Sequence, residues 1–382
     1  MQRLGPGRAA RRAGARVLAP ALALALVLAC AAALAACAPA GGAGSSAPAG
    51  SEMLVSGDSF DGAAEAGMSG DDLTVLDFTV RDLSVPGYGA GSGSGAGSGS
   101  GSGPGSGSVV VPVREYAPAP ESTWATLVWA HGGSFVRGTL DWPEADWVSR
   151  RFAERGIHVY SVDYALAGEG VRAPVPANDV AAVLGWAAAR ADGPLLIGGA
   201  SAGAHLATLA ALERAEAAAA GSGRAADALI LEYPTLHRVQ REDPMLSDET
   251  AALPEARRFG AERISAMYAE LLGGASESEI AAHGLIAGEL PGARLALLPP
   301  TVIVNADADD LRASGEEFAE QLRAAGVPVE ASVQPGTVHG YLNRPEESPT
   351  ALADATDTIG RFVSGVRAVL AGGAAEVPLA AP

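Results

Sequence analysis

The stretch PLLIGGASAGAHLATLAALERAEAAAA, residues 194–220, decides the fold. Its first seven residues are apolar or glycine, which suits a strand buried on both faces. From Ala202 onward, Ala, Leu and Glu favour a helix. Ser201 stands between the two, inside G-x-S-x-G. In a chain of 382 residues with 49 glycines, a lone match of this kind carries little weight. Its place does carry weight. Small residues on both sides let the chain turn sharply and hold one hydroxyl clear of a sheet.

Outward from this junction, strands and helices alternate. TWATLVWA (123–130), IHVYSVDYAL (157–166), ALILEYP (228–234), TVIVNAD (301–307) and VEASVQPG (329–336) read as strands. WPEADWVSRRFAERG (142–156), NDVAAVLGWAAARA (178–191), SGEEFAEQLRAAG (314–326) and a segment near 350–370 read as helices. Apolar strands separated by helices predict an α/β fold with a mostly parallel central sheet and helices on both faces. Residues 235–299 are too long for a crossover and are expected to form a small inserted cap. The folded domain is expected over 74–371, with a tail at 372–382.

Before the first of these strands, TVLDFTVRDLSV (74–85) and VVVPVREYAP (109–118) are rich in β-formers, and Pro112 predicts an edge strand. Between them, residues 87–108 carry glycine at every odd position. A strict period of two cannot supply the offsets of G-x-G-x-x-G, so no phosphate cradle is built here. The tract reads as an overgrown hairpin loop, since lengthening a loop from about 4 to 22 residues costs only ~1.5 kcal/mol.

The formal charge is −18, and all 26 basic residues are Arg. Such an excess of acid disfavours nucleic acid as a partner. Five of the arginines lie in residues 1–36, which hold no acid. They precede an apolar run from Val17 to Ala36, and this segment reads as an export signal. LAAC, ending at Cys37, resembles the lipobox of bacterial lipoproteins. That resemblance implies a lipid on Cys37, a flexible tether over 37–73, and contact with a membrane only through the lipid. The product would face outside the cytoplasm on the cell membrane. The alternatives are plain cleavage with secretion, or an uncleaved membrane anchor. Cys30 and Cys37 are the only cysteines, so the folded body has neither a disulfide nor a thiolate metal site.

A serine hydroxyl attacks only when a base removes its proton. In a sheet of this kind the partners follow in the order Ser, acid, His, each at the end of a strand. Of six histidines, only His339 follows the last strand. TVIVNADADDL offers Asp307, Asp309 and Asp310 as the acid. HGGSF (131–135) follows the strand at 123–130, and there Gly132 and Gly133 can present bare N–H groups to an oxyanion beside that of Ala202. His131 is expected to brace this loop, and the helix after Ser201 is expected to carry His205 away from the site.

With these parts in order, HGGSF, VDYALAGE, GASAGAHLA, NADADDLRASGEEFAEQLRAAGVPVE and VHGY together resemble the α/β-hydrolase superfamily, in its hormone-sensitive-lipase-like esterase group. The resemblance covers about residues 74–370. It implies Ser201 as nucleophile, Asp309 as acid, His339 as base, and a small-molecule ester as substrate, with no cofactor or metal. The group has Gly at Ser134, Asp at Ala200, Pro at Asp310 and Arg at Ala165, so this chain departs from it at four places. No amphipathic helices precede residue 74, which favours short acyl groups. The competing expectations are a peptidase or amidase with the same triad, and a non-catalytic ligand-binding module.

Overall fold

A computed structural model describes residues 53–54, 76–87 and 110–372. Its sheet runs β1 (Met53–Leu54), β2 (Phe78–Pro86), β3 (Val110–Pro118), β5 (Ile157–Val162), β4 (Ala125–Ala130), β6 (Leu195–Ala200), β7 (Ala228–Glu232), β8 (Thr301–Ala308) and β9 (Val329–Val338), in that spatial order. The pairs from β1 to β3, and β3 with β5, are antiparallel, and all others are parallel. The parallel body therefore carries an antiparallel flank.

Strand period explains the two cores. Along β6, Leu195 and Ile197 face one side, while Leu196 faces the other. The first side is covered by Val180, Val183 and Leu184 of Val175–Ala188, by Leu206 and Ala207 of Ala202–Ala219, and by Phe318 and Leu322 of Arg312–Ala324. The second is covered by Val148 and Phe152 of Asp146–Ala153 and by Ile359, Phe362 and Val366 of Pro349–Leu370. Because both faces are covered, the central strands β4, β6 and β7 are buried throughout and read as nearly continuous apolar runs. Between β7 and β8 lie four helices: Pro244–Ala251, Ala261–Leu272, Glu277–His283 and Gly292–Leu295. Ile264, Met267, Tyr268 and Leu271 of the second of these join the first core.

Three local readings change. Pro112 does not mark an edge, because β3 is flanked by β2 and β5. It lies one residue beyond the last β3–β5 pair, Val113 with Val162, so its missing N–H breaks no ladder bond there. The helix expected from Trp142 begins only at Asp146, because Trp142–Ala145 turns to place Glu144 inward. The strand at 157–166 ends at Val162. The Gly-rich tract joins two paired strands, with Pro86 opposite Val110. Residues 88–109, the export signal, Cys37, the tail beyond Gly372 and the tether apart from Met53–Leu54 lie outside the described residues; those two residues, expected within the tether, instead pair with Val80 and Thr79 at the edge of the sheet. Among the described residues, no helix is long and apolar enough to cross a membrane.

Glu232, at the end of β7, is fully buried, and neither carboxyl oxygen meets a hydrogen-bond partner at bonding distance. Burial pushes its carboxyl well above the ordinary range; the nearby Tyr341 hydroxyl opposes this, and the charges of Glu144 and Asp309 add to it. A carboxyl raised in this way keeps its proton to higher pH in the fold than in the unfolded chain, so stability falls as pH rises above the ordinary carboxyl range. Glu232→Gln is expected to raise Tm relative to the parent more at pH 8 than at pH 5, by thermal unfolding. An equal change at both pH values would contradict a raised carboxyl at Glu232.

Candidate active site

Ser201 connects β6 to the helix Ala202–Ala219 with φ 51° and ψ −116°. Such a backbone in a non-glycine residue costs on the order of 1–3 kcal/mol and persists only where its surroundings enforce it. Two glycines make room for the turn. A Cβ on Gly199 would meet Ala130 O at 2.5 Å, and one on Gly203 would meet the same atom at 2.1 Å. The Ser201 N–H donates to Glu232 O (2.9 Å), which anchors the turn to β7.

His339 directly follows β9, and its Nε2 lies 3.0 Å from Ser201 Oγ. Its Nδ1 lies 2.7 Å from Asp309 Oδ2. With the proton on Nδ1 donated to the carboxylate, Nε2 is left to accept from the serine hydroxyl. Asp309 Oδ1 accepts from the Leu311 N–H (3.0 Å), and the acid is 1% exposed. The His339 ring is flanked by Phe259 and Tyr233, with centroids 4.3 and 4.8 Å away. Its carbonyl accepts from Arg344 Nη2 (3.0 Å).

The three acids left open by the strand end have separate tasks. Asp307 Oδ2 accepts from the Gly336 N–H (2.8 Å), and its Oδ1 pairs with Arg312, tying β8 to the turn in β9. Asp310 bonds to Thr250 and Phe259 in the segment between β7 and β8. Only Asp309 reaches His339. The β8–β9 register slips between Ala306 and Ala308, and such a bulge re-aims the residues that follow it.

The oxyanion loop needs one correction. The Gly132 N–H donates to Glu144 Oε2 (2.5 Å), so it is not available to substrate. Gly132 serves by being small: a Cβ there would lie 3.0 Å from Ser201 Cβ and 2.6 Å from Glu144 Oε2. Among the described residues, no acceptor meets the N–H of Gly133, Ser134 or Ala202. Gly133, Ser134 and Phe135 all have positive φ, at 119°, 56° and 69°. His131 holds this strained run, with Nδ1 bonded to Gly132 O (2.7 Å) and its ring stacked on Tyr164 at 4.6 Å. Burial holds the His131 imidazole below its usual range, which suits a neutral brace rather than a base. His205 is turned to Leu285 O (3.1 Å) and the Tyr268 ring, and burial brings it down to about 4.

Glu144 and Tyr233 were not singled out by sequence reasoning. Glu144 is 1% exposed; its Oε1 accepts from Tyr233 OH (2.5 Å) while its Oε2 holds the Gly132 N–H. Burial pushes the Tyr233 hydroxyl well above its ordinary range, so it stays a donor. One carboxylate thus ties the oxyanion loop to the tyrosine packed on His339. The only signal in sequence is an acid between Pro143 and Ala145, and nothing local says that it is buried. Glu144→Gln puts an N–H₂ where a donor already points, and is expected to lower kcat/KM about 10- to 100-fold with Tm lowered by a few degrees. Steady-state kinetics beside thermal unfolding checks this; an unchanged kcat/KM would mean that the loop stands without Glu144.

Residues 127–343 match the family model described as alpha/beta hydrolase fold. The chain is 33% identical over 271 residues to the carboxylesterase NlhH of Mycobacterium tuberculosis, covering 68% of this chain and 79% of that one. It is 32% identical over 256 residues to the esterase LipI of the same organism, covering 64% and 73%. A solved bacterial heroin esterase matches with a TM-score of 0.57 at 26% identity, over 76% of this chain and 85% of that one. Carboxyl esterase 2 from the fungus Tuber melanosporum matches in fold, with a TM-score of 0.59 at 24% identity, over 76% and 88%.

Proposed function

The chain belongs to the alpha/beta hydrolase family, and from that premise we propose that it is a serine carboxylesterase acting on small-molecule esters with short acyl groups. One observation carries the reading: Ser201 Oγ, His339 and Asp309 form an unbroken hydrogen-bonded line of 3.0 and 2.7 Å. His339 Nε2 takes the hydroxyl proton as Ser201 Oγ bonds to the ester carbonyl carbon. Asp309 holds the imidazole in the required tautomer and offsets its positive charge. The oxyanion is met by the N–H groups of Gly133 and Ala202; a single donor of this kind contributes roughly 3–4 kcal/mol. As the tetrahedral carbon collapses, the carbon–oxygen bond to the alcohol breaks and His339 returns the proton to that oxygen. Water then repeats the sequence on the acyl-enzyme, releasing the acid and restoring Ser201.

Initial rates on 4-nitrophenyl esters of rising acyl length, beside the matching 4-nitroanilides, test this. Acetate and butyrate are expected to be cleaved fastest and the anilides far more slowly. Anilide rates that match or exceed the ester rates would make the protein an amidase. Cleavage of neither would leave a ligand-binding module.

We propose further that the protein is exported and held at the cell membrane by a lipid on Cys37. The Arg-rich start, the apolar run and LAAC support this. Mass spectrometry of the mature N-terminus is expected to find a lipidated Cys37; an unmodified start at any other residue would overturn it.

A further inference from the structure

Asp309 serves the triad and Asp307 the sheet, but the third acid of this run serves neither. Asp310 Oδ1 accepts from Thr250 Oγ1 (2.6 Å), and its Oδ2 accepts from the Phe259 N–H (2.6 Å). Both are short bonds to a carboxylate, the strong kind. Both donors belong to the segment between β7 and β8, whereas Asp310 adjoins the acid that orients His339. Thr250 is fully buried and Phe259 nearly so. The Phe259 ring lies 4.3 Å from that of His339, and the Arg263 guanidinium sits 3.8 Å from the Phe259 centroid. Arg263 also donates to the carbonyls of Ala256 and Arg258, which brackets the turn that presents Phe259.

The two aromatic walls of the imidazole differ in how they are held. Tyr233 follows β7 directly and bonds to Glu144. Phe259 comes from a segment that leaves the sheet, and its N–H is anchored by Asp310. We infer that Asp310 is a positioning residue: it fixes Phe259 against the ring of His339 and so couples the cap segment to the catalytic base. Without that carboxylate a buried N–H is left unpaired, the turn shifts, and the imidazole loses one wall and gains water and rotational freedom. The inference rests on the reading of His339 as the base.

A double-mutant cycle tests it. Asp310→Ala, which removes the acceptor of the Phe259 N–H, Phe259→Ala and the double variant are compared by kcat and KM on 4-nitrophenyl acetate and by the rate at which a fluorophosphonate labels Ser201. Each single variant is expected to lower kcat and the labelling rate about 10- to 100-fold, the order expected for a misplaced catalytic group, with KM within about twofold. The double variant is expected to be no slower than Phe259→Ala alone. Thr250→Val breaks only the other bond to Asp310, and is expected to lower Tm while labelling stays near the parent rate. Multiplicative losses in the double variant would overturn the inference. So would a rise in KM with kcat unchanged, parent-rate labelling of Asp310→Ala, or equal slowing by Thr250→Val. If the parent protein cleaves no ester, the labelling arm still decides, so failure of the esterase reading is told apart from failure of this one.

Discussion

Ser201→Ala is expected to lower kcat/KM on 4-nitrophenyl acetate by roughly 10⁵- to 10⁶-fold, the order lost when the nucleophile of an acting triad is removed. The change deletes one oxygen and leaves Cβ in place. Gly132, packed so that an added Cβ would lie 3.0 Å from Ser201 Cβ, keeps its neighbour. The strained backbone at φ 51° belongs to the turn between β6 and its helix, so the fold is expected to persist with Tm near that of the parent. A variant that unfolds at the parent temperature yet keeps a tenth or more of the activity would remove Ser201 from the mechanism. It would also leave the elbow as a packing feature only.

Asp309→Asn is expected to lower kcat by roughly 10⁴-fold with KM little changed. The amide fills the same space, but its N–H₂ group set against Nδ1 favours the tautomer with the proton on Nε2. That tautomer cannot accept from the serine hydroxyl. Asp307→Asn is the informative partner, since it lies two residues away and faces Gly336 and Arg312 instead. Its cost is expected to be mainly in stability. If Asp307→Asn were the crippling change and Asp309→Asn the mild one, the acid would be misassigned.

Those two aspartates also mark how far the sequence could be read. Strand and helix order is local, carried by apolar runs and by glycine and alanine at turns. Ser201 and His339 were therefore legible from their places at strand ends. The choice among Asp307, Asp309 and Asp310 was not legible from the residues alone. All three stand within four positions, and which one turns to His339 depends on where β8 slips its register against β9. That slip is a property of the pair, and resemblance to known esterases was needed to favour Asp309.

Gly132 shows a different limit. Its type was informative, because only a residue without a side chain fits between Ser201 and Glu144. Its N–H was not, because the group that takes it is twelve residues on and hidden by tertiary packing. Glu144 itself reads as a surface acid near the start of a helix until its burial is seen. Pro112 likewise argued for an edge strand, and the sheet instead places it just past the end of the β3–β5 pairing. In each case the missing information was a long-range neighbour rather than a local preference.

The most direct test is fluorophosphonate labelling of the folded protein, with the modified peptide mapped by mass spectrometry and Ser201→Ala treated in parallel. The probe requires an activated serine and an oxyanion site but no knowledge of the natural ester. A single adduct on Ser201, absent from the variant, is the result the hydrogen-bonded line from Ser201 through His339 to Asp309 predicts. No adduct on a folded protein, or an adduct on another serine that persists in Ser201→Ala, would contradict it.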